Sequence, residues 1–178
     1  MFDKDLNITG KHGDYMRKIV AELDSDKDKF FRFAYDAYRC AAVIGFLYGR
    51  KAQKQTSSKD DYTIFLSQIK NIQNDLDFNY KLIMLLDKEY ESNFDNRLNK
   101  AFNYSQNERP KEDVGLFEQY TLGGIEVLYE KLIKNANKPE DYISNLMGFI
   151  QEFNDRFNSS VDSVNLVELC RSASAFNE

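Results

Sequence analysis

The sequence predicts an all-α fold of six to eight helices packed around one buried central helix. Three observations carry this reading. Apolar residues recur at steps of three and four along most of the chain, and no run shows sustained period-two alternation. Two prolines and eight glycines in 178 residues leave little turn punctuation for an all-β fold. Residues 30–50, FFRFAYDAYRCAAVIGFLYGR, begin amphipathic, with Arg32, Asp36 and Arg39 on one stripe, then become apolar all round, as a helix does on entering a core.

Within that stretch Ala37, Ala41, Gly45 and Gly49 recur every four residues. Glycine inside a helix costs about 1 kcal/mol relative to alanine. Two of them in one row therefore imply that a second helix approaches closely. The apolar block, residues 40–48, is far shorter than the roughly 20 residues of a membrane span, so the reading is a soluble core helix.

In chain order, residues 1–13 are expected to form an irregular arm. Asp14 can cap a short helix over 15–23, with Tyr15, Ile19 and Leu23 on one face. Ser25 or Asp26 can cap the central helix. Residues 50–59, RKAQKQTSSK, form a polar basic connection, and Ser57 or Ser58 can cap the next helix. A long pattern then runs Tyr62, Phe65, Ile69, Ile72, Leu76, Tyr80, Ile83, Leu86, with Asn74-Asp75 as a possible break. Asn93 caps a shorter helix bearing Phe94, Leu98, Ala101 and Phe102. Residues 103–113 read as a loop. A helix over 114–133 is interrupted at Gly123-Gly124, a pair that implies a kink, a close crossing or a break, with helix packing favoured. Pro139 suits the first turn of another helix, striped by Tyr142, Leu146, Phe149, Ile150, Phe153 and Phe157. A last short helix is expected over 164–170 and a frayed tail over 171–178. At this length one domain, 1–178, is the expectation.

Composition excludes several classes. One histidine and two separated cysteines, Cys40 and Cys170, build neither a common zinc site nor a disulfide framework. Glu126 and Glu130, four apart, lack the histidine partners of a di-iron bundle and read as a solvated helix face. No nucleophile elbow, phosphate loop or His-Glu-x-x-His pattern occurs. The expectation is no catalytic residue, no metal, no cofactor and no enzymatic activity. The N-terminus has no signal-peptide core, so a cytoplasmic location without membrane contact is expected.

Charge is uneven. Residues 1–60 hold 12 Lys/Arg against 9 Asp/Glu, and the remainder 12 against 20. From Ala37 to Lys59 there is no acid. The candidate binding residues for nucleic acid or an acidic partner are therefore Arg50, Lys51, Lys54 and Lys59, with Lys11, His12 and Arg17 in the GKHGDYMRK segment. The plainer expectation is a solvated helix end for the first group and an ordinary surface histidine for His12.

Four blocks carry a resemblance: GKHGDYMR at 10–17, AAVIGFLYGRKA at 41–52, YKLIMLLD at 80–87 and GGIEVLYE at 123–130. Together they resemble small helical proteins of bacterial phage-defence gene clusters, most closely the accessory proteins of DNA phosphorothioation systems. The resemblance implies a bacterial cytoplasmic protein acting with larger partner subunits, and assigns no site residues. Its implied function is a non-enzymatic accessory or adaptor subunit of a DNA-modification or defence assembly, working through protein–protein contacts. The alternative is a small nucleic-acid-binding regulator using segment 50–59, with DNA as partner.

Overall fold

The computed structural model describes residues 2–24, 27–57, 59–105 and 108–157. The chain divides into two compact units, Met1–Asn135 and Ala136–Glu178. The first contains strand β1 (Leu6–Ile8), helices α1 (Lys11–Ile19) and α2 (Ala34–Leu47), strand β2 (Tyr62–Ile64), and helices α3 (Leu66–Leu86), α4 (Phe94–Phe102) and α5 (Lys111–Leu128), the last continued by a π-helical turn at Tyr129–Ile133. The second contains α6 (Pro139–Phe157). The architecture is all-α apart from the two short strands. The expected helix at 164–170 and tail at 171–178, with Cys170, lie outside the described residues, as do Ser25, Asp26 and Ser58; the capping expected of these three is nonetheless corrected, because α2 begins at Ala34 after Phe33 and α3 at Leu66 after Phe65.

Helix α2 is the centre of the first unit. Ala37, Ala41, Ala42 and Gly45 are buried on it, and α5 presents Phe117, Tyr120, Gly124, Ile125 and Leu128. The small-residue row works as expected at Ala41 and Gly45 but not at Gly49. A β-carbon on Gly45 would run into the Tyr120 carbonyl and sit 2.9 Å from the Gly124 amide nitrogen. A β-carbon on Gly124 would strike the Ala41 carbonyl, and one on Gly123 the Arg50 carbonyl. Of the three readings of Gly123-Gly124, the close crossing holds, and α5 runs through the pair unbroken.

Gly49 has a different role from Gly45. Its φ is +61°, and no atom lies within 4 Å of where its β-carbon would be. The Gly49 amide donates to the Phe46 carbonyl at 3.0 Å and the Arg50 amide to Gly45 at 2.8 Å, the paired bonds of a Schellman C-cap. Glycine is needed there for backbone conformation rather than for space.

The N-terminal arm is more ordered than expected. Residues 6–8 pair antiparallel with residues 62–64, Asn7 opposite Thr63. The expected helix start at Tyr62 is thus a strand, and α3 begins at Leu66, where the Asp5 carboxylate takes the Leu66 amide at 2.7 Å and Gln68 takes the Phe65 amide at 3.1 Å. Three residues are too few to display a period, which is why the alternation was not readable. Helix α1 starts at Lys11 rather than after Asp14. Its first N–H groups are satisfied from a distant segment: the Gln55 side chain accepts from Lys11 at 2.8 Å, and Asp61 accepts from the Gly10 amide at 2.9 Å. Ser57, expected to cap the next helix, donates instead to Asp61.

Other expectations stand. Asn93 caps α4 by accepting from the Asn96 amide at 3.1 Å. Helix α3 passes Asn74-Asp75 without interruption. Pro139 occupies the first turn of α6.

Candidate functional site

The residues nominated from sequence do not form one basic face. Lys11, His12 and Arg50 converge on Glu126. Lys11 Nζ lies 2.8 Å from Glu126 Oε1 and His12 Nε2 lies 3.0 Å from the same oxygen. Arg50 Nη1 approaches Glu126 Oε2 at 3.4 Å, and its two terminal nitrogens reach the two Glu130 oxygens, each at 3.4 Å. Three elements build this cluster. Helix α1 supplies Lys11 and His12, the Schellman turn after α2 aims Arg50, and α5 with its π-helical turn supplies Glu126 and Glu130.

His12 is fully buried, so the expected surface histidine is corrected. The reason lies in Gly13. Its missing side chain lets α1 lie against the backbone of Ile8, Asp60 and Asp61, which seats the helix with His12 beside Glu126 of α5. A carboxylate only accepts, so His12 Nε2 carries the proton and donates to Glu126. Nδ1 is buried with no hydrogen-bond partner. Burial lowers the imidazole pKa, and the Glu126 bond offsets only part of that. Glu126 is likewise not on a solvated face, its side chain being 12 % exposed. Burial alone would raise its pKa, but the Lys11 and His12 bonds outweigh burial and hold the carboxyl below its ordinary range. Next to it, Tyr15 of α1 stacks on Tyr129 with centroids 3.9 Å apart and rings 4° from parallel, and Lys18 caps the Tyr129 ring at 5.6 Å.

The other nominated cations are dispersed. Arg17 donates to the Asp60 and Asp61 carbonyls at 3.3 and 3.2 Å. Lys51 sits over the Tyr120 ring at 4.8 Å, with the buried Asp87 carboxylate 4.0 Å away and bonded to the Tyr120 hydroxyl at 2.7 Å. Lys54 stands at the rim of a cleft beside β1. Lys59 is exposed. Of segment 50–59, Arg50 and Lys51 therefore face carboxylates of their own chain.

Sequence reasoning missed a second polar cluster. Asp113, fully buried in the first turn of α5, accepts from the Tyr90 hydroxyl and from Lys100 Nζ, both at 2.6 Å. Arg109 is buried in the stretch read as a loop; its guanidinium lies 3.8 Å from the Tyr80 ring centre, and it pairs with Asp77. Only the acid-rich start of α5 hinted at this arrangement. Among the described residues no group of three or more His, Cys, Asp or Glu side chains could hold a metal ion, and no helix is long and apolar enough to cross a membrane.

Comparison with known families decides the lineage. The model of the DNA sulphur modification system-associated protein 4 family matches residues 13–167. The chain belongs to this family. The match covers most of the His12–Arg17 segment, all of α2 to α6 and the Glu126 cluster apart from Lys11 and His12, and it agrees with the resemblance seen in the four sequence blocks. No curated protein and no solved structure matches the chain. In this member of the DNA sulphur modification system-associated protein 4 family the fold is all-α, with a glycine-mediated α2–α5 crossing.

Proposed function

We propose that the chain is a non-enzymatic accessory subunit of a DNA sulphur modification system, and that it acts by holding larger proteins of that system through protein–protein contacts. Family membership supports the association. The observation that carries the contact mechanism is a set of exposed apolar side chains on α3 and α4. Phe94 and Phe102 of α4 are 57 % and 58 % exposed, one stripe with half-buried Leu98 between them. Phe78 and Leu86 of α3 are 63 % and 48 % exposed, with half-buried Leu82 between them. Large apolar groups repeated at helical spacing on the outside of two neighbouring helices are unusual on a monomer and suit a partner surface.

The polar chemistry supports the same reading. Arg50 and Lys51 are engaged by Glu126, Glu130 and Asp87, so a nucleic-acid site at 50–59 would rest on Lys54 and Lys59. Two phosphate contacts add little affinity at physiological salt.

The test is Phe94→Ser with Phe102→Ser in the full chain. Neither ring is needed by the core, so the melting temperature should move little. Retention of the system's other proteins on the tagged chain should fall at least about tenfold, the equivalent of 1.4 kcal/mol. Undiminished retention would remove this surface from the mechanism.

A further inference from the structure

Helix α4 carries the outward row Phe94, Leu98 and Phe102, yet apolar burial does little to hold it. It has nine residues, and a helix shorter than about 12–15 residues is marginal in water without tertiary packing. Its buried residues are Arg97 and Ala101. The methyl group of one alanine removes little apolar area from water. Polar contacts must therefore supply much of what keeps α4 in place.

Those contacts are buried and short. Arg97 donates from Nε to the Leu85 carbonyl at 2.9 Å and from Nη1 to the Glu91 and Ser92 carbonyls, both at 2.8 Å. It ties α4 to the end of α3 and to the turn between them. Lys100 of α4 reaches the fully buried Asp113 of α5 at 2.6 Å, and the Tyr90 hydroxyl of the same turn bonds the same carboxylate oxygen at 2.6 Å. The turn is fixed again at Asp87, which accepts from the Tyr90 amide at 3.0 Å and from the Tyr120 hydroxyl of α5 at 2.7 Å. Lys100–Asp113 is thus the ion pair that joins α4 itself to α5.

We propose that Lys100 and Asp113 are positioning residues for the partner surface. Their ion pair latches α4 against α5, and without it α4 opens as a unit while α2 and α5 stay folded. A segment with few buried apolar contacts opens at a lower free energy than the core beside it. The α2–α5 crossing has many such contacts and α4 has few. Asp113 has no exposed surface and cannot touch a partner, so it acts through the row Phe94, Leu98 and Phe102. That row binds only while α4 is closed, and affinity falls with the closed fraction. The proposal rests on the protein-contact reading above and deepens it, by naming the residues that set the surface.

Amide hydrogen exchange on the full chain tests it. In the wild type the amides of residues 97–103 should exchange at least about tenfold faster than those of α2 and α5. Lys100→Met alone leaves the Asp113 charge buried without its partner, a cost that can spread through the core. Lys100→Met with Asp113→Asn removes both charges and keeps an acceptor for Tyr90. In that chain exchange at 97–103 should quicken at least about tenfold again, with α2 and α5 unchanged, and retention of the system's other proteins should fall by a similar factor. The proposal is overturned if α4 exchanges in step with α2 and α5 in the wild type, if the double variant leaves α4 exchange unchanged, or if α4 opens and retention holds. Should the double variant not fold, the wild-type comparison decides alone. Partner retention separates the two readings. If Phe94→Ser with Phe102→Ser loses the partners and the opened chain keeps them, the latch fails and the accessory reading stands. If the serine variant keeps every partner, the surface fails and the latch proposal with it.

Discussion

Gly124→Leu should lower the stability of the first unit by about 3 kcal/mol or more, at the upper end of what overpacking costs. The added side chain meets backbone: the Ala41 carbonyl and its α-carbon lie where the new β-carbon must go. A side chain can rotate away from such a clash, whereas a helix backbone moves only with its neighbours. Gly45→Leu should behave alike, because its obstacles are the Tyr120 carbonyl and the Gly124 amide on the same crossing. At about 2–4 °C per kcal/mol for a domain of this size, each variant should melt roughly 10 °C lower. Gly115→Ala is the control. Its β-carbon would meet nothing within 4 Å, and it lies inside α5, so the substitution should be neutral or stabilising by up to about 1 kcal/mol. Unchanged melting of Gly124→Leu would show that α2 and α5 do not cross where the structure puts them.

Glu126→Ala should cost about 2–3 kcal/mol. It removes the acceptor of a buried donor, His12 Nε2, and an unmade hydrogen bond of this kind costs about 1–3 kcal/mol. It also leaves Lys11 and Arg50 facing each other without the carboxylate between them. Glu126→Gln keeps an acceptor and should cost less. The same cluster sets an acid limit on the wild type. His12 is held below its ordinary 6.5, so the unfolded chain takes up the proton first, and stability should begin to fall as pH drops through about 6.5. Glu126 is held below its ordinary 4.5, so its contribution is present above that value and is lost at lower pH. Thermal melting between pH 8 and pH 3 checks both. The expected loss below pH 6.5 should be absent in His12→Gln, measured against that variant's own pH 8 value. A melting temperature flat from pH 8 to pH 5 would contradict the assignment of His12 as a buried neutral imidazole.

Most of the fold was readable because it depends on local signals. The Asn93 cap and Pro139 act within a few residues of where they stand, and the small-residue row on α2 and the glycine pair on α5 are short patterns legible by themselves, although what they touch lies across the α2–α5 crossing. The strands were not readable, since pairing Asn7 with Thr63 depends on contacts more than fifty residues apart and leaves only three residues on each side. The site was readable in its parts and not in its assembly. Lys11, His12 and Arg50 stood out by charge, and Glu126 and Glu130 by spacing, yet what brings them together is the α2–α5 crossing and the seating of α1 by Gly13. A stretch without acids looked like a free basic face because the neutralising carboxylates come from another helix. Reversing Arg50, Lys51 and Lys54 to Glu together would be harmless on a free exposed segment, but here it would place carboxylates against Glu126, Glu130 and Asp87 and confound folding with binding. Lys54 alone can be reversed without that penalty.

The accessory role is tested most directly by mass. The chain, 20.8 kDa by itself, is co-expressed with the other proteins of the DNA sulphur modification system, treated with nuclease and measured by light scattering as it elutes from a sizing column. The expected result is a species heavier than the chain by at least one partner and unaffected by nuclease. A chain that elutes alone after nuclease treatment, and binds duplex DNA with an affinity that falls steeply with salt, would contradict the account.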